Sequence, residues 1–228
     1  MPFDHMGLPT SYEVIRPVVE HEFFDHRSVP QLEAYVTEQV STNTYDFEAN
    51  KALLKLYQFF PDLCKDNIVA LVLAKAFMNL PSTDMAALLC ILPKQQAARE
   101  PAQTLVRCAE AMETARFSDF WGLIRAEEAA DFVEDVPGFA DRARRFVVGA
   151  LAPLFQDVTK EYFEGCVGLS GEALAAFVAA HADMVRLDGD RVRFALNRYN
   201  QSQPKKFKEA VEFDKMLGVI NRLEAPTR

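Results

Sequence analysis

Apolar residues recur every three or four positions through the first 135 residues, the spacing that gathers them on one face of a helix. Tyr12 to Phe24 predicts a helix that Pro17 interrupts or starts. Ser28 is placed to cap a second helix, with Pro30 in its first turn and Val29, Leu32, Val36 and Val40 on one stripe. Asp46 is placed to cap a third, whose stripe of Ala49, Leu53, Leu56, Tyr57 and Phe60 stops at Pro61. Lys65 to Leu80 is apolar nearly all round and predicts a helix in the middle of a stack, ended by Pro81. A short helix from Ser82 or Thr83 to Leu92, one from Ala102 to Thr114, and one opened by Ser118 that carries Phe120, Trp121, Leu123 and Ile124 continue the series. No strand signal interrupts it, so this part reads as a stack of helical hairpins of the solenoid kind, without a detectable sequence period.

The pattern changes at Pro137-Gly138. A helix from Phe139 to about Phe155 is followed by a shorter one from Lys160 to Val167. Ser170 then caps a third, Glu172 to His181, with Leu174, Phe177, Val178 and His181 on one face. Met184 to Leu196 alternates around Asp188-Gly189, the signature of a β-hairpin. Three helices and then a two-stranded hairpin is the winged-helix order. A last helix, Lys206 to Leu223, sets Phe213, Met216, Leu217, Ile220 and Leu223 on a stripe with no evident home in the body. The expected layout is a lead-in and first helix (1–27), a helical stack (28–136), a winged helix (137–203) and a C-terminal helix or tail (204–228).

Half of the 228 residues are hydrophobic and only nine are Gly, enough apolar material for a real core. The net charge of −8 disfavours general binding to nucleic acid or to an anionic membrane. It is unevenly spread: from Met184 onward ten Lys/Arg face six Asp/Glu, whereas residues 1–183 carry fifteen and twenty-seven. Cys64, Cys90, Cys108 and Cys166 form no C-x-x-C pair and read as buried, reduced thiols, which fits a reducing compartment such as the cytoplasm. The N-terminus has neither the basic start nor the apolar stretch of a signal peptide. The longest uncharged apolar run, Phe146 to Phe155, is half of what a membrane span needs, so no membrane is expected.

Catalytic relations are sought and not found. Gly168-Leu-Ser-Gly-Glu172 lacks the final Gly of a nucleophile elbow, and Ser170 has a helix to cap. Gly165-x-x-Gly168-x-x-Gly171 is not a dinucleotide fingerprint and follows a helix. His21 and His26 stand five apart with Glu22 and Asp25 between them, off the i, i+4 spacing of a zinc helix; a metal-dependent enzyme built on them is the remote alternative. His181 reads as a core or helix-end histidine, and Glu127-Glu128 and Glu134-Asp135 as solvated faces. No catalytic or metal site and no cofactor is expected. The helix that would enter a DNA groove offers Ala175, Ala176, Ala179 and Asp183, none of which can read bases, so no DNA binding is expected either. The basic concentration lies at Arg191, Arg193, Arg198, Lys205, Lys206 and Lys208; it suits RNA or an acidic partner, or a solvated edge that discourages stray strand pairing.

The run Tyr45-Asp-Phe-Glu-Ala-Asn-Lys-Ala-Leu-Leu-Lys-Leu-Tyr-Gln-Phe-Phe-Pro61 resembles subunit k of the eukaryotic translation initiation factor 3 complex. So do Leu32-Glu-Ala-Tyr-Val and Lys75-Ala-Phe-Met-Asn-Leu-Pro-Ser-Thr-Asp84, with weaker likeness at Phe117 to Trp121 and after Pro137. The resemblance spans about residues 28 to 180. It implies a mainly α, PCI-like architecture: a HEAT-like helical-hairpin stack followed by a winged helix with one small β-hairpin and a C-terminal helix. It also implies a non-catalytic cytoplasmic subunit that pairs with other initiation factor 3 subunits, subunit l especially, and reaches the small ribosomal subunit through them. An analogous scaffold of the proteasome lid or COP9 signalosome is the alternative. The expected partner interface is Arg193, Phe207, Val211, Phe213, Met216, Leu217, Ile220 and Leu223, with Arg191, Arg198, Lys205, Lys206 and Lys208 as RNA or acidic-partner contacts.

Overall fold

The thirteen-residue helix that is apolar nearly all round lies deepest. The computed structural model describes residues 6–21, 25–126 and 135–202, together with positions 213, 216, 217 and 220. Its elements run α1 (Tyr12–His21), α2 (Val29–Ser41), α3 (Phe47–Phe59), α4 (Asp66–Met78), α5 (Asp84–Ile91), α6 (Lys94–Ala97), α7 (Ala102–Glu113), α8 (Phe117–Arg125) and α9 (Phe139–Leu151). Then come β1 (Asp157–Thr159), α10 (Lys160–Val167), α11 (Gly171–Ala180), β2 (Val185–Asp188) and β3 (Arg191–Phe194). The protein is mainly helical with one small sheet, as the residue pattern predicts. In α4, ten of thirteen residues are buried, and the helix packs against α2, α5, α7 and α9.

Two features tie the early helices together. Asp46 caps α3 by accepting from the Ala49 N–H at 3.2 Å, and its other oxygen accepts from the Tyr35 hydroxyl at 3.1 Å. Beside it, the buried amides of Gln39 and Asn50 bond reciprocally at 2.9 and 3.1 Å, and Gln39 also accepts from the Asp46 N–H. Every member of this network is paired, the condition under which a buried polar cluster specifies packing instead of weakening it. The aromatic side chain of Phe77 on α4 stacks on Phe120 of α8 (5.5 Å) and Phe139 of α9 (4.7 Å). One apolar core therefore continues from α2 through α9 to β3.

Several sequence expectations change at the level of single residues. Ser28 ends a 3-10 turn, His26–Ser28, that Asp25 caps through the Arg27 N–H; α2 follows without a side-chain cap bond. Ser170 occupies the cap position of α11 with extended backbone, again without the side-chain bond. Arg116, not Ser118, stands at the cap of α8. The helix expected to run to Phe155 ends at Leu151, because the 152–156 segment gives its carbonyls to asparagines downstream. The sheet has three strands, in the order β1-β3-β2, all antiparallel: Val158 faces Val192, and Val185 faces Phe194. Those four side chains are buried, β1 and β3 packing on α10 and β2 on α11; Phe163 of α10 meets Phe194 edge to face at 6.1 Å. Of the thiols, Cys108 and Cys166 are buried, Cys64 is half-buried, and Cys90, expected inside, is exposed on α5. Burial pushes the Cys108 thiol up to about 12.

Candidate partner interface

The histidines do not converge. His21 ends α1, exposed. His26 packs its ring on Phe60 at 5.6 Å, and Asp25 between them is spent on its own cap; Glu22 lies outside the described residues. Among the described residues no group of three or more His, Cys, Asp and Glu side chains could hold a metal ion. His181 is a helix-end residue: its Nδ1 lies 2.9 Å from the Phe177 carbonyl, and its ring packs on that of Phe177 at 4.4 Å.

The glycine loop between α10 and α11 serves packing. Gly168 is left-handed (φ +65°), and a Cβ there would stand 2.4 Å from the Trp121 ring. That indole donates its Nε1–H to the Cys166 carbonyl at 2.7 Å, and Arg144 lies over its face at 5.0 Å. Trp121 thus clamps the helical stack to the winged-helix part, a role that only a close backbone approach allows.

The wing carries charges already engaged in ion pairs. Arg193 pairs with Asp188 at 2.9 Å, and Arg191 pairs with Asp157 across the sheet. Arg198 lies over the Tyr199 ring at 4.5 Å. On α11, Ala175, Ala176 and Ala179 are exposed, as is Asp183 beyond it; the face is smooth and its charges, Glu172 and Asp183, are acidic. Of the expected interface, Phe213, Met216, Leu217 and Ile220 are helical and exposed, Phe213 by 66%. Their i, i+3, i+4, i+7 spacing makes one apolar stripe. Phe207, Val211, Leu223, Lys205, Lys206 and Lys208 lie outside the described residues.

A further apolar surface escapes sequence reasoning. Asn197 and Asn200 donate to the Ala152 carbonyl at 2.9 and 3.1 Å, and Gln156 donates to the Asn200 carbonyl at 2.7 Å. These bonds lock the segment after α9 to the segment after β3. They hold Leu154 and Leu196 outward, 71% and 67% exposed, with Phe155 and Tyr199. Apolar side chains presented on a fixed loop mark a contact surface. The available signal was the pair of asparagines three apart just past a strand, which turn the chain and bond to a neighbour.

Similarity to known proteins covers most of the chain. Residues 63–206 match the CSN8/PSMD8/EIF3K family. The chain belongs to that family. Eukaryotic translation initiation factor 3 subunit K of Drosophila erecta is 33% identical over 190 residues, 83% of this chain and 84% of its own length. The Xenopus tropicalis protein of the same name is 29% identical over 198 residues, covering 86% and 89%. The Drosophila ananassae protein reaches 40% over 137 residues. The matched family region takes in the core helices α4 and α8 and the whole winged helix. Among the described residues no single helix is long and apolar enough to cross a membrane; α10 and α11, which would pass together, are bent by 83° and bury Phe163, Val167 and Leu174 in the core.

Proposed function

We propose that this chain is a non-catalytic structural subunit of the translation initiation factor 3 complex in the cytoplasm. It joins the other subunits, subunit l especially, and meets the small ribosomal subunit through them. The observation that carries this reading is the similarity to subunit K proteins over more than four-fifths of both chains. The exposed stripe of Phe213, Met216, Leu217 and Ile220 supports it, since an apolar helix face gains stability only when something covers it. In this reading residues 28–136 are the HEAT-like part, 137–203 the winged helix, and 204–228 the anchor, with Phe207, Val211 and Leu223 extending its stripe.

Arg193 is assigned to the partner contact at the wing. Arg191 and Arg198, with Lys205, Lys206 and Lys208, are assigned to an acidic partner or RNA. Because Arg191 already faces Asp157, any incoming acidic group, phosphate or carboxylate, has to displace that carboxylate.

The test is affinity purification of the tagged chain with identification of partners and a sucrose gradient. Initiation factor 3 subunits and a fraction near the small ribosomal subunit are expected. Phe213→Asp or Leu217→Asp releases the chain from the complex with its helix content intact; normal co-purification of both variants removes the tail as anchor. The family also covers CSN8 and PSMD8, so the second reading is a scaffold of the COP9 signalosome or proteasome lid, revealed by those partners in the same experiment.

A further inference from the structure

A groove of about 580 Å³ opens between the N-terminal lead-in, α1 and the first turns of α3 and α5. Its apolar wall is built by Met6, Leu8, Tyr12, Val19 and Phe47, and its polar floor by Tyr45, Asn79 and Asp84. Glu20, Asp46, Glu48 and Asp84 bring four carboxylates to the rim against one cation, Arg16. Three of the four are accounted for locally. Glu20 is held by Arg16 at 2.8 Å and Glu48 by Lys51 at 2.5 Å, while both Asp46 oxygens are used in capping α3 and receiving Tyr35. Asp84 is different. One of its oxygens accepts from the Asn79 amide at 2.9 Å, and the other has no hydrogen bond among the described residues.

Tyr45 stands next to Asp84. Its side chain is 7% exposed, and its buried hydroxyl is directed loosely toward the Asp84 carboxylate with no close hydrogen-bond partner. A buried hydroxyl without a close partner is unfavourable, so its persistence calls for a role. Burial and the neighbouring Asp84 charge both push its ionisation up, which keeps it a neutral group able to donate and accept. A hydroxyl that can donate toward a carboxylate and still accept from an incoming N–H, flanked by apolar walls, is the donor–acceptor set for an ammonium or guanidinium on an apolar stem.

We infer that this groove receives a Lys or Arg side chain carried on an apolar segment of a partner protein, with Asp84 and Tyr45 as its polar end. The Asp84 carboxylate selects the cation, and the apolar wall takes the flanking side chains. The inference extends the proposed scaffold role to a further surface, beside α1 and the starts of α3 and α5, and does not depend on which complex the chain serves.

The test uses the purified full chain and isothermal titration calorimetry. The probe is a nine-residue peptide with one central arginine between leucine and phenylalanine pairs, the rest Gly and Ser; its twin carries glutamate at the centre. The arginine peptide is expected to bind with a Kd of about 10–100 µM, weakening with salt, and the twin at least about tenfold less well. Tyr45→Phe and Asp84→Asn each weaken binding several-fold. Tyr45→Phe keeps a cooperative melting transition within a few degrees of the parent, because the hydroxyl makes no close bond to lose. The inference is overturned by equal binding of the two peptides, by no binding, or by unchanged binding in Tyr45→Phe. It is also overturned if the peptide binds only once residues 1–5 are removed, which assigns the groove to the chain's own lead-in. None of these outcomes bears on co-purification with initiation factor subunits, so the two readings fail separately.

Discussion

Lys75 is a charge hidden in the middle of the stack. Its side chain is 1% exposed on α4, with its Nζ donating to the Asn43 Oδ1 at 3.1 Å and lying 3.3 Å from the Met6 sulfur. Among the described residues no carboxylate pairs with it. Burial, reinforced by the nearby charge of Arg142, pulls its ammonium down to about 8 from 10.5. The unfolded chain therefore holds this proton more tightly than the folded one. The resulting penalty is present in full below pH 8 and is relieved as pH rises from 8 toward 10.5. At about 1.4 kcal/mol per pH unit the penalty is about 3 kcal/mol. Lys75→Met keeps the length of the side chain and removes the charge. At pH 7 the variant is expected to be more stable by about 1–3 kcal/mol, the lost Asn43 bond offsetting part of the gain. That advantage shrinks steadily between pH 8 and 10. The assay is urea denaturation of both proteins at each pH unit from 7 to 10; taking the difference cancels the thiols and tyrosines that titrate in the same range. A difference that does not change with pH, or a variant less stable than the parent at pH 7, refutes the reasoning.

Three further perturbations probe the core. Phe77→Ala removes the ring that joins Phe120 and Phe139 and is expected to cost about 3–5 kcal/mol in chemical denaturation; a loss under about 1 kcal/mol would mean that the stack does not hold α4, α8 and α9 together. Asn50→Ala leaves the buried Gln39 amide without its reciprocal partner, and unfolding at lower urea by about 2–3 kcal/mol is expected, against near-neutral effects for surface asparagines. Gly168→Ala combines a left-handed backbone with a Cβ driven into the Trp121 ring. A loss of about 2 kcal/mol or more and a red-shifted emission of the single Trp are the expected readouts, and unchanged fluorescence would deny the clamp.

The helices were legible because each carries enough residues for a 3.6-residue period to repeat, and α4 because its lack of period is itself the mark of a central helix. β1 was not. Asp157-Val-Thr159 has one inward side chain, Val158, and no alternation to detect; what makes it a strand is the open edge of β3, a tertiary fact. The caps divide in the same way. Asp46 was readable because a carboxylate at that position has a strong local partner in the Ala49 N–H, whereas Ser28 and Ser170 mark the right places without making the bond. The surface beside α9 was misread as helix because Leu154 and Phe155 continue an apolar run. Only the distant Asn197 and Asn200 turn that run outward. The groove was invisible for a similar reason: Tyr45 and Asp84 are thirty-nine positions apart, and no local pattern brings a hydroxyl and a carboxylate together across two helix starts.

The scaffold role proposed above needs surfaces held in a fixed relation, and the packing can provide it. The Phe77 stack and the Trp121 indole span the region where the sequence changes character near residue 137, so the helical stack and the wing share one apolar core. Leu154, Leu196 and Tyr199 are then presented by a segment whose backbone is already bonded to its neighbour, and docking against them orders little that is not ordered beforehand. Binding to such a preorganised patch loses less conformational entropy than binding that must first fold a loop. The stripe at Phe213, Met216, Leu217 and Ile220 works by the opposite means. Its apolar face is exposed in the isolated chain, so covering it supplies the hydrophobic free energy of association directly. One surface thereby offers geometry and the other apolar area to cover, a division that suits the scaffold role proposed above.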